Sequence, residues 1–187
     1  DGKVYFELPV DLINKDMLIG STVTSISDNG NAVVGSKPTD LLHVMFTRNK
    51  THVQLRQVNT DYITGSTQID EALRKSTLGA IISNQKIQAY NNDSTAIVFD
   101  MTGVFLSDNK KMSPFDRNSI YGMYNRTENY QSDCSYISQI KAFKDNVSIK
   151  SCLSYTFSVS NSQGTSLIKD RPFTAEMTRS IMLLKEK

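Results

Sequence analysis

The chain has 187 residues, a formal net charge of +2 and 39% hydrophobic residues, which suits one globular domain over residues 1–187. The nearly balanced charge forms no basic stripe and so argues against a nucleic-acid partner. No apolar run approaches the roughly 20 residues of a membrane-spanning helix, so no membrane span is expected.

Strand patterns dominate the first part of the chain. Residues 3–8 combine aromatic and β-branched side chains and stop at Pro9, which suits the first turn of a short helix at residues 10–14. Residues 17–26 predict a second strand, which the turn sequence Asp28-Asn29-Gly30 ends.

A hairpin with a two-residue loop is predicted over residues 42–58. This register pairs Phe46 with Val53 and Val44 with Leu55, so both apolar pairs lie on one face of the hairpin. A shift of one residue would move these side chains to opposite faces, so the apolar pattern favours a half-buried hairpin.

One principal helix is predicted over residues 67–78. Ser66 or Thr67 is placed to cap its N-terminus, and Asp70 lies three residues after Thr67, at the spacing of a capping box. Apolar residues recur at helical spacing, and Gly79 is placed to end the helix in a left-handed conformation.

Strand signals resume after this helix. Residues 86–90 and 95–101 predict a second hairpin, in which Ile97, Phe99 and Met101 face the core. A short helix at residues 102–106 and three further strands complete the pattern, the strands at residues 135–143, 147–159 and 173–184. We therefore expect an α+β fold that is mainly β, with antiparallel curved sheets built from hairpins, one principal helix and a long irregular loop.

The long irregular loop is predicted between Ser107 and Asp133. Loops of this length are uncommon unless they are functional or mobile. Tyr121, Tyr124 and Tyr130 would give it an interaction surface, although a surface loop packed by its own side chains explains these tyrosines as well.

The two histidines do not have the spacing of a metal site. A zinc-protease helix requires H-E-x-x-H, with both imidazoles one turn apart, whereas His43 and His52 are nine residues apart and neither is followed by Glu. In the predicted hairpin register they lie opposite Arg56 and Thr47, so they are not neighbours. We expect no metal ligands in this chain.

Nucleophile and phosphate motifs are also absent from the sequence. There is no G-x-S-x-G elbow, no G-x-G-x-x-G and no P-loop, and no base can be assigned to Cys134 or Cys152. These two cysteines can stay reduced or pair with each other. The sequence therefore predicts no catalytic and no cofactor-binding residues, although an enzyme with an unfamiliar site remains an alternative.

Several segments together resemble a known family. The opening Tyr5-Phe6-Glu7-Leu8-Pro9 and the segments 12–19, 87–100, 140–149 and 180–184 resemble, in the same order, a domain of unknown function. That domain precedes the zinc-protease domain of large metalloproteases of Gram-negative bacteria. The similarity runs from about residue 3 to the end. It departs at Lys144, where the family has proline, and at Cys134-Ser135, where an Arg-Ser pair is expected.

The resemblance implies a non-catalytic domain of a zinc-dependent metallopeptidase. Its H-E-x-x-H helix and zinc would lie in a downstream protease domain of the same polypeptide, so no catalytic residue transfers to this chain. The implied role is to pack against that protease domain or to guide peptide substrate to it. A stand-alone peptide- or glycan-binding module of the bacterial envelope is the alternative. The family also implies the periplasm or cell envelope, and because the chain opens without an initiator Met, we expect a signal peptide to have been removed.

Overall fold

The computed structural model describes residues 2–58 and 79–184. The fold is mainly β, as predicted, and adjacent strands are antiparallel. The described residues form ten strands: β1 (Tyr5–Pro9), β2 (Asp16–Ile26), β3 (Leu42–Arg48), β4 (His52–Gln57), β5 (Ile81–Tyr90), β6 (Ala96–Asp100), β7 (Asn125–Tyr130), β8 (Tyr136–Ala142), β9 (Asn146–Ser160) and β10 (Ser166–Leu183).

Helical structure is sparse in these residues. One short helix, α1 (Thr102–Phe105), lies where a short helix was predicted, and four 3₁₀ turns are formed by Val10–Leu12, Lys110–Met112, Tyr121–Met123 and Ser132–Cys134. The predicted principal helix at residues 67–78 lies outside the described residues. None of the described helices has the length and apolar character needed to cross a bilayer.

The chain divides into two compact units. The platform unit contains Asp1–Val4, Gly20–Leu41 and Thr102–Ile181, and the hairpin unit contains Tyr5–Ile19, Leu42–Met101 and Met182–Lys187. Strands β2 and β10 contribute residues to both units.

The hairpin unit consists of hairpins laid side by side, in the order β1-β6-β5-β4-β3-β2. Its core contains three phenylalanines: the Phe46 ring centroid lies 5.7 Å from that of Phe99 and 6.4 Å from that of Phe6. Ile97, Phe99 and Met101 are completely buried, which confirms the face predicted for β6. Such edge-to-face aromatic packing adds to the stability gained from burial of the rings.

The predicted β3–β4 hairpin is present, but its predicted register is wrong by two residues. Phe46 pairs with Leu55 rather than Val53, and Val44 pairs with Gln57 rather than Leu55. The turn lies one residue later in the chain than predicted, since the Asn49 N–H donates to the His52 carbonyl at 2.9 Å, and Asn49 Oδ1 accepts from the backbone N–H groups of Thr51 and His52 at 2.9 and 2.8 Å. A shift of two keeps the same side chains on the buried face, so the apolar pattern could not exclude it. His43 and His52 are consequently not opposite Arg56 and Thr47.

The platform unit contains the strands β2, β10, β9 and β7 in that order, with β8 beside β9. β9 is 15 residues long, so one part of it pairs with β8, through Val147 to Cys152, and another with β7, through Tyr155 to Ser160. Alternate residues of β9 and β10 are buried, including Ala175 and Met177. They form a core with residues from β2 and the loops: Val23, Ala32, Phe115, Leu153, Tyr155, Phe157, Val159, Phe173, Ala175 and Met177.

Two predicted boundaries in this unit need correction. The stretch from Ser107 to Asp133 is not irregular throughout, because β7 lies within it and pairs with β9 from Asn125–Ser160 to Tyr130–Tyr155. β10 begins at Ser166 rather than at residue 173. Both segments are rich in polar residues, and pairing with β9 overrides their weak intrinsic strand preference.

Candidate functional site

The three tyrosines of the predicted interaction loop lie in different environments. The Tyr130 hydroxyl is buried without a hydrogen-bond partner among the described residues, and its ring centroid lies 5.4 Å from that of Tyr155. The Tyr121 ring is half-buried, 5.6 Å from the ring of Phe157. Tyr124 alone of the three is exposed, at 45%. The structure therefore does not bring the three together as one exposed surface.

A different surface is built from part of the same segment. Residues 113–124 lie against the loop of residues 28–36, and we call these two segments the loop platform. Two backbone hydrogen bonds of 2.9 Å join them, from Tyr121 N–H to the Gly30 carbonyl and from Asp116 N–H to the Asn31 carbonyl. Both segments belong to the platform unit, so their relative position is set by contacts within it.

Arg126 on β7 contacts both segments of the loop platform and holds them together. Its Nη1 atom lies 3.4 Å from Asn31 Oδ1, 3.4 Å from the Asp116 carbonyl oxygen and 3.3 Å from Ser119 Oγ. Its Nε atom donates to Glu128 at 2.9 Å. The guanidinium side chain is only 7% exposed, so these charge-assisted hydrogen bonds are largely shielded from water and hold both segments.

Tyr121 holds the other end of the loop platform. A side chain at Gly30 would overlap the Tyr121 ring, so glycine is required for the two segments to approach this closely. The Tyr121 hydroxyl accepts a hydrogen bond of 3.2 Å from Arg171, which also lies 3.4 Å from Asp28 Oδ2. Tyr121 is thus an anchor of the surface rather than a contact residue on it.

The loop platform presents five large apolar side chains to solvent. Their exposed fractions lie between 45% and 76%, and the five are Val33, Val34, Ile120, Met123 and Tyr124. The preceding residues Asn31 and Ala32 are completely buried, so Val33 and Val34 project from a fixed backbone. Grouped apolar side chains on a fixed surface are typical of interaction sites.

Four of these five residues were missed by sequence reasoning. Val33-Val34 follows a strong turn sequence and precedes Gly35, whose φ of 87° lies in the left-handed region, and Met123 follows Gly122. The sequence did offer one sign of an interaction surface, namely large apolar residues placed between turn-forming residues. It was not decisive, because a single exposed apolar residue in a loop is ordinary.

A second exposed apolar group lies on the edge strand β8 and at the residue that follows it. Tyr136, Ile140 and Phe143 are about half exposed. The β8–β9 register shifts between Ile137 and Gln139, and Lys141 is exposed on the same strand. Bulges and lysines are the usual protection of an edge against pairing with another chain, so the loop platform is the better candidate for a docking site.

A polar cluster lies around Glu176 on β10, on the opposite face of the platform unit's sheet. The Glu176 carboxylate accepts from Lys150 at 3.1 Å, from Thr24 at 3.0 Å and from Ser138 at 3.2 Å. The hydrogen bond from Lys150 is the largest cause of a pKa below the ordinary value of this carboxyl. A carboxylate stabilised in this way is a weak base at neutral pH, so the cluster is better suited to joining β2, β8, β9 and β10 than to proton transfer.

Glu176 gives a prediction about pH. Because its pKa is lowered in the folded state, its contribution to stability is present above the unfolded-state value near 4.5 and is lost as the pH falls below it. We expect Glu176→Gln to cost up to about 1 kcal/mol at pH 7 and much less at pH 3, since the carboxylate is partly solvated. Urea unfolding at both pH values measures the change in the free energy of unfolding. Glu7→Gln is the control, because Glu7 is an exposed residue of β1. An equal cost at both pH values would contradict it.

The histidines and cysteines occupy separate positions. His43 Nε2 lies 3.0 Å from Asp16 Oδ1, whereas His52 Nδ1 lies 2.8 Å from Thr51 Oγ1. Cys134 and Cys152 are both free thiols, and Cys152 hydrogen-bonds to the Tyr136 hydroxyl, which raises the tyrosine pKa. In residues 2–58 and 79–184, no three His, Cys, Asp or Glu side chains are grouped so as to hold a metal ion.

Fold and site together define a mainly β domain that presents a fixed, exposed apolar surface. The chain belongs to the family described as "Domain of unknown function (DUF5117)", whose sequence profile matches residues 35–187. The match includes the 113–124 segment of the loop platform and begins just after Val34. No curated protein and no solved structure matches the chain.

Proposed function

We propose that this chain is a non-catalytic docking domain of a secreted or periplasmic zinc-dependent metallopeptidase. It packs against a protease domain of the same polypeptide and helps to shape the cleft that receives peptide substrate. The resemblance noted from Tyr5-Phe6-Glu7-Leu8-Pro9 onwards supports this proposal, and membership of a family of unknown function is compatible with it. The zinc-bound water that cleaves the peptide bond would be held by the protease domain, and this chain needs no cofactor.

The loop platform is the observation that carries the proposal. Its five exposed apolar side chains come from two segments that hydrogen bonds and Arg126 already hold in place. A surface that is ordered before binding loses little conformational entropy when a partner covers it. Burial gains about 25 cal/mol for each Å² of apolar surface, so these side chains would form the energetic centre of an interface.

A single charge in this surface tests the proposal. We expect Met123→Asp to weaken binding to the separately purified protease domain at least tenfold, because it places a carboxylate in an apolar interface at a cost above about 1.4 kcal/mol. Isothermal titration calorimetry measures the affinity. Met123 is 76% exposed, so the substitution leaves the fold intact, which circular dichroism verifies.

The matched control lies elsewhere on the same unit. Leu167, near the turn between β9 and β10, is 53% exposed, and Leu167→Asp should bind like the unmodified chain. Equal affinity of the Met123→Asp variant and the unmodified chain would contradict docking through the loop platform. No measurable binding by the unmodified chain would overturn the proposed function itself.

A stand-alone peptide- or glycan-binding module is the second candidate. It is favoured by exposed Tyr136 and Phe143 near the two ends of β8, since aromatic side chains give contact area at low entropic cost. Peptide and glycan arrays probed with the chain distinguish the two functions. Binding that Tyr136→Ala and Phe143→Ala abolish, and that Met123→Asp leaves unchanged, would support the second candidate.

A further inference from the structure

We infer that Arg179 Nε and the Tyr130 hydroxyl share a buried water-binding site inside the platform unit. A water molecule held there joins β10 to β7 across the intervening strand β9. Arg179 and Tyr130 both belong to the core of the platform unit, so the site does not depend on the proposed docking function or on what covers the loop platform.

Two polar atoms of this core are buried without a protein partner in the described part of the chain. Arg179 is 2% exposed, and its Nη1 and Nη2 atoms donate to the carbonyls of Phe105 and Met112. Its Nε atom has no acceptor among the described residues, and the buried Tyr130 hydroxyl has no partner among them either. Leaving such a group unsatisfied is costly, so nearly all buried polar groups in folded proteins bind protein or ordered water.

The two atoms lie in the same interior region. Tyr130 pairs with Tyr155 across β7 and β9, and their ring centroids are 5.4 Å apart. Tyr155 shares one core with Ala175 and Met177, and Arg179 lies on the same buried face of β10 as these two residues. Burial lowers the pKa of the Arg179 guanidinium, and the phenol groups of Tyr155 and Tyr130 oppose this shift, so the three groups are close enough to interact electrostatically.

The charges around the site favour water over an ion. Burial is the main cause that raises the pKa of Tyr155, and the Asp108 carboxylate raises it further by more than the Arg179 guanidinium lowers it. A negative charge is therefore disfavoured beside the site, and the guanidinium disfavours a metal cation. Water is neutral, can accept a hydrogen bond from Arg179 Nε, and can donate to the Tyr130 hydroxyl or accept from it.

The substitution Tyr130→Phe tests the site through the sign of its effect on stability. If the hydroxyl binds a water molecule, its removal loses a hydrogen bond, and the urea midpoint of unfolding should fall by about 0.5 M. If the hydroxyl is unpartnered, its removal relieves a buried unsatisfied group, and the midpoint should rise or stay the same. Tyr124→Phe is the matched control, because the Tyr124 side chain is exposed, and its midpoint should equal that of the unmodified chain.

A crystal structure of the complete chain identifies the bound species. We expect an ordered solvent peak within about 3.2 Å of both Arg179 Nε and the Tyr130 hydroxyl oxygen. That peak, together with a lower midpoint for Tyr130→Phe, supports the inference. A midpoint that is unchanged or raised, or no peak between the two atoms, overturns it. An anomalous bromide signal at this position in crystals grown from sodium bromide would assign the site to an anion and overturn it as well.

Discussion

Replacing Arg179 by methionine is expected to lower the free energy of unfolding by about 3 kcal/mol, because it removes charge-assisted hydrogen bonds to two buried carbonyl groups. Arg179 on β10 is 2% exposed, and its Nη1 and Nη2 atoms donate to the carbonyls of Phe105 and Met112 at 3.5 and 3.2 Å. Phe105 ends α1 and Met112 ends a 3₁₀ turn, so one side chain fastens both ends of the segment between them to the sheet.

Holding this segment to the sheet with Arg179 has an energetic cost, because a charged guanidinium is buried. Burial lowers the pKa of its guanidinium to about 10, so it remains charged at neutral pH in surroundings that disfavour charge. Methionine fills a similar volume without that cost, but it leaves the Met112 carbonyl without the Arg179 donor. The loss of hydrogen bonds therefore outweighs the relief of the buried charge.

Denaturant unfolding followed by far-UV circular dichroism measures this effect, since the chain has no tryptophan to report by fluorescence. Arg171→Ala is the matched control on the same strand: Arg171 is 48% exposed and its ion pair with Asp28 is 3.4 Å long, so its removal should cost less than about 1 kcal/mol. An unfolding midpoint for Arg179→Met equal to that of the unmodified chain would show that these hydrogen bonds contribute nothing net.

Replacing Gly122 by alanine is expected to destabilise the protein by about 2 kcal/mol and to weaken docking at the loop platform. A β-carbon at this position would overlap the carbonyl oxygens of Asp116 and Arg117. Both are backbone atoms, so the clash cannot be relieved by rotating a side chain. The turn that presents Arg117, Ile120 and Met123 must open instead.

Gly103 provides the control for this substitution. It lies within α1, and a β-carbon there would meet nothing within 4 Å, so Gly103→Ala should be neutral or stabilising by about 0.5–1 kcal/mol. Denaturant unfolding and calorimetric titration of both variants test the pair. If Gly122→Ala is as stable as Gly103→Ala and binds the partner as the unmodified chain does, the closed turn is not what organises the surface.

The strands that could be predicted are those whose side chains alternate between apolar and polar. β2, β6 and the buried half of β10 follow this pattern: Phe99, which was predicted to face the core, is completely buried, and so is Met177. β7 could not be predicted, because the inward-facing Arg126 and Glu128 are satisfied by each other and by the loop platform rather than by apolar burial. The hairpin register was likewise undetermined, since the same side chains are buried whether Phe46 lies opposite Val53 or opposite Leu55.

The amino-acid sequence by itself determined that this is a mainly antiparallel β protein, because period-two burial is a local property that each strand carries in its own residues. The position of Arg179 on a buried face follows from the same alternation with Ala175 and Met177. Only the tertiary structure decided what Arg179 binds and that residues 28–36 meet residues 113–124 to expose Val33, Val34 and Met123. Those contacts join segments tens of residues apart, and no local pattern specifies which distant carbonyl or loop a side chain will meet.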